Sequence, residues 1–85
     1  MQSPTISEIT KTHREEQGLT LEAFAAALCS DIPGIDLTKM AISTWETGKN
    51  VPGYAFTLLV FMRYHDWRSG WARDVLKVLK PSMYR

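Results

Sequence analysis

The sequence predicts an all-α fold of five helices, and three observations carry that expectation. Helix stops recur along the chain, with Gly18 and Gly48 just past two apolar-periodic runs and Pro52 and Pro81 preventing quick resumption. Within the runs, apolar residues return at three- and four-residue spacing. Strand signals are missing, since the chain has no alternating apolar–polar run and no Asn-Gly hairpin pair. Eighty-five residues with a single cysteine, Cys29, make one small domain over 1–85 without a disulfide framework.

The first helix is expected from about Pro4 to Gln17. Ser3 can cap it, Pro4 suits the first helical position, Gly18 ends it, and Ile6, Ile9 and His13 share one face. The second, about Leu21 to Cys29, follows the cap Thr20 and buries Leu21, Phe24, Ala25 and Leu28, with Glu22 at the positive end of its dipole. "SDIPGID" follows, where Pro33-Gly34 fit the middle of a type II turn. The third, about Lys39 to Thr47, starts from Thr38 or Asp36 and buries Leu37, Ile42 and Trp45. The fourth, Tyr54 to about His65, is apolar almost all round. The fifth, about Trp67 to Lys80, aligns Trp67, Trp71, Val75 and Val78 or Leu79 along one side, and Pro81 stops it.

Composition narrows the function. No signal peptide is evident, and the longest apolar stretch, Tyr54 to Met62, is too short to span a bilayer, so a soluble cytoplasmic protein without a membrane partner is expected. Catalysis is not expected. His13 and His65 pair with no nucleophile motif, "HREE" lacks the second histidine of a metal motif, and no glycine-rich loop can cradle phosphates. Neither a metal, a cofactor nor a small-molecule ligand is evident. Net charge is only +1, but residues 1–36 hold two basic residues against six acidic, and residues 37–85 hold eight against three. That asymmetry points to a polyanionic partner or, equally, to a solvated basic half.

On the third helix, Lys39, Met40, Ser43 and Thr44 lie opposite Ile42 and Trp45, so the core does not claim them. A cation in the first turn opposes the helix dipole. Lys39 there is either an incidental surface charge or one that faces a phosphate or a guanine edge.

"REEQGLTLEAFAAAL" (14–28) followed by "LTKMAISTWETGKNVP" (37–52) resembles the lambda-repressor/Cro-type, XRE-like helix-turn-helix family over about residues 6–65. Arg14, Gly18, Leu19, Thr20, Phe24-Ala25, Leu28, Thr38, Ile42-Ser43, Trp45-Glu46, Gly48 and Pro52 match its pattern in order, and "ISTWETG" is the most specific part. The resemblance implies a transcriptional regulator of bacterial or phage type whose third helix reads the major groove of double-stranded DNA. Lys39, Met40, Ser43 and Thr44 would then face bases, Lys39, Lys49 and Asn50 would reach phosphates, and Thr38 would complete the DNA-binding set. It also implies a bidentate Arg14–Glu46 ion pair tying the first helix to the third.

Three features depart from the pattern. The connection from Leu28 to Thr38 is longer by about seven residues, Leu21 stands where a phosphate-touching Gln is usual, and Thr10 and His13 replace apolar residues. A histidine satisfied within the core is the expectation for His13. On the fourth helix, Ala55, Phe56, Leu59 and Met62 form a second apolar stripe, and Val75, Leu76, Val78 and Leu79 run ahead of Met83 and Tyr84. Phe56, Leu59, Met62 and Trp71 are therefore expected either to pack the fourth helix on the fifth or to join a homodimer. The competing expectation is a protein-interaction module on the same scaffold, antitoxin-like or a phage accessory protein, using that apolar surface.

Overall fold

The structure, a computed structural model, describes residues 4–80. Five helices follow in chain order, with no strand among the described residues: α1 Ile6–Glu16, α2 Leu21–Cys29, α3 Lys39–Glu46, α4 Tyr54–Arg63 and α5 Trp67–Leu79. α4 packs chiefly on α5, α2 on α3, and α1 bridges α3 and α5. None of these helices is long and apolar enough to cross a membrane.

Local chemistry explains the boundaries. The Thr5 hydroxyl accepts the Glu8 N–H at 3.1 Å, so Thr5 caps α1 and Pro4 lies before the helix. This corrects the expected start at Pro4. Thr5 and Glu8 stand at capping-box spacing, which outcompetes a proline at the first position. Ser3 and Pro81, the other expected signals, and Met83 and Tyr84 lie outside the described residues. Thr20 caps α2 as expected, accepting the Ala23 N–H at 3.1 Å. At the end of α3, Gly48 has φ +79, the Lys49 N–H donates to the Thr44 carbonyl at 3.0 Å and the Gly48 N–H to Trp45 at 3.3 Å. That is a Schellman cap, and any side chain at Gly48 would strain it.

The core centres on Trp71, which has no exposed surface. Its ring meets Phe24 edge-on at 5.9 Å and stacks on Trp45 at 5.9 Å. Its indole N–H donates to the Thr10 hydroxyl at 3.1 Å. One side chain on α5 therefore touches α1, α2 and α3. Thr10, anomalous in sequence, is the acceptor that a buried indole requires. Trp71 is a core residue and cannot belong to a partner surface, contrary to one of the two expectations for it. Val75 and Leu76 are also fully buried, and Val78 is the outward one at 40% exposure. The buried stripe of α5 (Trp71, Ala72, Val75, Leu76) is wider than a single row, because α5 packs against both α1 and α4.

α4 ends at Arg63, earlier than expected, since Tyr64 is extended and turns its ring inward. The Tyr64 hydroxyl accepts the Asp31 N–H at 3.1 Å. The Arg68 guanidinium lies 3.6 Å from the centre of the Tyr64 ring and donates to the Ala27 carbonyl at 2.8 Å and the Ser30 hydroxyl at 3.2 Å. This corner pins the root of the long connection, residues 30–38. Farther along it, Ile32 is buried and the Ile35 N–H donates to the Ile32 carbonyl at 3.4 Å. Gly34, at φ +84, takes the left-handed position of that turn, as the Pro33-Gly34 pair implies.

Asp66 completes the corner. It caps α5 through the Arg68 N–H at 2.9 Å and binds the Arg68 side chain at 2.5–3.1 Å. The Arg68 hydrogen bonds hold the Asp66 carboxyl below its usual range, against the opposing effect of burial. The same bonds hold Arg68 above its ordinary value. A carboxyl with a lower pKa folded than unfolded adds stability that is complete above its unfolded value of about 3.9. That stability is lost as pH falls through the folded value. Asp66→Asn keeps a capping acceptor but removes the titration. Its urea midpoint should therefore fall less than that of the wild type between about pH 5 and pH 2. Parallel declines would show that Asp66 does not contribute to acid sensitivity.

Candidate nucleic-acid interface

α3 is short, and an isolated helix of that length is unstable in water, so its neighbours must hold it. They do so on one side and at one end. Ile42 and Trp45 are buried beneath it. At its C-terminal end the Glu46 carboxylate receives two bonds from Arg14 of α1, Nε to Oε2 at 2.7 Å and Nη2 to Oε1 at 3.1 Å. This is the bidentate pair implied by the resemblance. Arg14 also donates through Nη1 to the Leu19 carbonyl at 2.9 Å. The Glu46 hydrogen bonds, assisted by its charge and opposed by burial, raise the Arg14 pKa.

A second grip was not foreseen. The Ser7 hydroxyl of α1 donates to the Glu46 backbone carbonyl. Ser7 and Arg14 stand two turns apart on one face of α1, a spacing that marks them as partners for a common neighbour. Glu46 is thus held by both its side chain and its backbone.

The outer face of α3 is free of the core. Lys39 is exposed and Met40 is 64% exposed, while Ser43 and Thr44 are half-buried. The Thr44 hydroxyl donates to the Ala41 carbonyl at 2.7 Å, which commits its proton and leaves its oxygen able to accept. Of the two expected starts, Thr38 is the N-cap, though its side chain makes no capping bond. Lys49 and Asn50 are exposed, and both their N–H groups donate to the Thr44 carbonyl, at 3.0 and 3.3 Å. The expected phosphate-facing residues therefore stand at both ends of a helix about 12 Å long. Glu22 of α2 lines a shallow cleft with Thr38 and Lys39, so one carboxylate borders the start of α3.

The apolar set divides. Phe56 is half-buried with its ring 6.3 Å from Trp45, whereas Leu59 and Met62 are 42% and 68% exposed. His13 lies at the edge of the core, not within it, its Nε2 3.0 Å from Asp74 Oδ2 on α5. Among the described residues, no group of three or more His, Cys, Asp or Glu could hold a metal ion. The Cys29 thiol lies on the backbone of its own helix, 3.3 Å from the Ala25 carbonyl. No family model, curated protein or solved structure matches the chain.

The Arg14–Glu46 pair is testable by a double-mutant cycle. The two side chains retain 18% and 10% exposure, so the pair falls short of full enclosure. Arg14→Ala should cost about 2–4 kcal/mol, below the roughly 3–5 kcal/mol of a fully buried pair. Adding Glu46→Ala should recover part of that loss in urea unfolding, and strictly additive losses would show that the pair contributes no coupling.

Proposed function

We propose that this chain is a sequence-specific DNA-binding transcriptional regulator of the lambda-repressor/Cro type, reading the major groove with α3. One observation carries the reading: α3 is fixed by its inner face and its C-terminal end, while Thr38, Lys39, Met40, Ser43 and Thr44 face away from the core. A groove-reading helix needs a rigid mount and an unclaimed outer face. The residue types fit that use. Lys39 can donate to guanine O6 and N7, Ser43 and Thr44 can pair with either base edge, and Met40 can pack on a thymine methyl. Lys49 and Asn50, just past the helix, suit backbone phosphates. Those contacts supply most of the affinity and the outer face of α3 supplies the choice of sequence.

A homodimer belongs to the same proposal. Leu59 and Met62 stand one turn apart on the outer face of α4 and keep much of their apolar surface in water. A two-fold axis through that face would bury both residues twice. It would also present two α3 helices to successive turns of the duplex, about 34 Å apart. The same surface supports the second reading, an interaction module whose main contact is another protein.

Lys39→Ala and Ser43→Ala should each weaken specific binding by about 1–3 kcal/mol while circular dichroism stays unchanged. Lys49→Ala should weaken every sequence alike and reduce the salt slope by about one unit. If Lys39→Ala and Ser43→Ala bind as the wild type does, α3 is not the reading helix.

Sedimentation at micromolar concentration tests the dimer separately. The wild type should run as a dimer and Leu59→Glu with Met62→Glu as a monomer. A monomeric wild type would remove the dimer and leave the role of α3 standing.

A further inference from the structure

The starts of α2 and α3, two helices that pack on each other, carry opposite charges. Glu22 stands in the first turn of α2, where a carboxylate suits the positive end of the dipole. Lys39 stands in the first turn of α3, where a cation opposes the dipole, and that turn holds no acidic residue of its own. The two share one cleft. It has a volume of about 430 Å³ and is lined by Glu22 and Ala26, one turn apart on α2, and by Leu37, Thr38 and Lys39, where the connection enters α3. Among the described residues that line it, Glu22 is the one carboxylate and Lys39 the one cation. Both are exposed, so their charged ends can meet over the cleft. α2 does not depend on Glu22 for its cap, because the Thr20 hydroxyl already accepts the Ala23 N–H.

Resting on the DNA-binding reading, we infer that Glu22 is a specificity-determining residue that acts through Lys39. An ammonium group has three donors. Glu22 takes one and leaves the others for guanine O6 and N7. On a duplex without that guanine the remaining acceptors are phosphates, and there the carboxylate both retains Lys39 and repels the backbone. It therefore weakens wrong complexes more than the right one, which is how a repulsive group creates choice. The helix dipole alone accounts for an acid in this turn of α2. It predicts no dependence on Lys39 and no effect on the choice among sequences, so the two explanations separate in binding.

The experiment compares the wild type with Glu22→Gln on a random-sequence duplex and on a duplex selected for tight binding, at about 50–200 mM salt. Glu22→Gln should bind the random duplex about two- to fivefold more tightly, the range of one exposed ion pair, and the selected duplex as the wild type does. The selected-to-random ratio should fall by the same factor. The plot of log Kobs against log salt should steepen by about 0.9 on the random duplex alone, since the released Lys39 neutralises one more phosphate. In a Lys39→Ala background, Glu22→Gln should leave the ratio unchanged. Glu16→Gln, which removes an exposed carboxylate from α1, should also leave it unchanged. Equal gains on both duplexes, no gain on either, or a fall in the ratio that persists without Lys39 or recurs in Glu16→Gln overturns the inference and leaves the role of α3 intact. A wild type that binds neither duplex at the lowest salt overturns the DNA-binding reading and this inference together.

Discussion

The Trp71 indole is the constraint on which the rest of the structure depends. Packing α5 on the domain buries a large aromatic side chain, a gain of about 4–6 kcal/mol from area alone. The burial also has a direction, because the indole N–H must find the Thr10 hydroxyl and the ring must meet Phe24 and Trp45 in their own orientations. A leucine at the same place would fill volume without fixing angles. The stacked Trp45–Trp71 pair sets how far α3 sits from α5, and Thr10 sets how α1 lies across both.

α3 is consequently held by two unlike forces. Beneath it are aromatic and aliphatic contacts that tolerate small rotations. At its end are the directional bonds of Arg14 and Ser7 to Glu46, which do not. The first fixes depth and the second fixes attitude. A helix anchored in two ways can leave the Lys39 and Met40 side chains exposed and Ser43 and Thr44 partly so, and that freedom is what the proposed readout uses.

Much of this was legible in the chain, for identifiable reasons. Local chemistry specifies helix ends, so Thr20, Gly18 and Gly48 marked them correctly. The Arg14–Glu46 pair followed from family likeness, not from spacing. Thr5 was missed because Pro4 is also a start signal, and only the observed Glu8 contact decides between them. The row along α5 left Val78 or Leu79 open, and Val78 is the outward one, because periodicity reveals a broad apolar arc without revealing where the two neighbours of α5 lie. Tyr64 falls on an inward position of the resemblance and is buried, but its bond to Asp31 and the Arg68 bonds to Ala27 and Ser30 gave no sequence signal, since those partners belong to a distant turn. The exposed face of α3 could be read as unclaimed, but the chain alone does not specify a base sequence for it.

The sequence separation of these anchors has a consequence for biosynthesis. Glu46 meets Arg14 across 32 residues, but Trp71 meets Thr10 across 61, and loop closure over that span comes late in folding. A ribosome adding about 5–20 residues per second exposes α1, α2 and α3 before α5 exists. During that interval the nascent chain has its outward-facing helix but not the indole that sets its depth. Emergence of the last helix therefore completes the mount, and an incompletely synthesised chain presents the right side chains without their geometry.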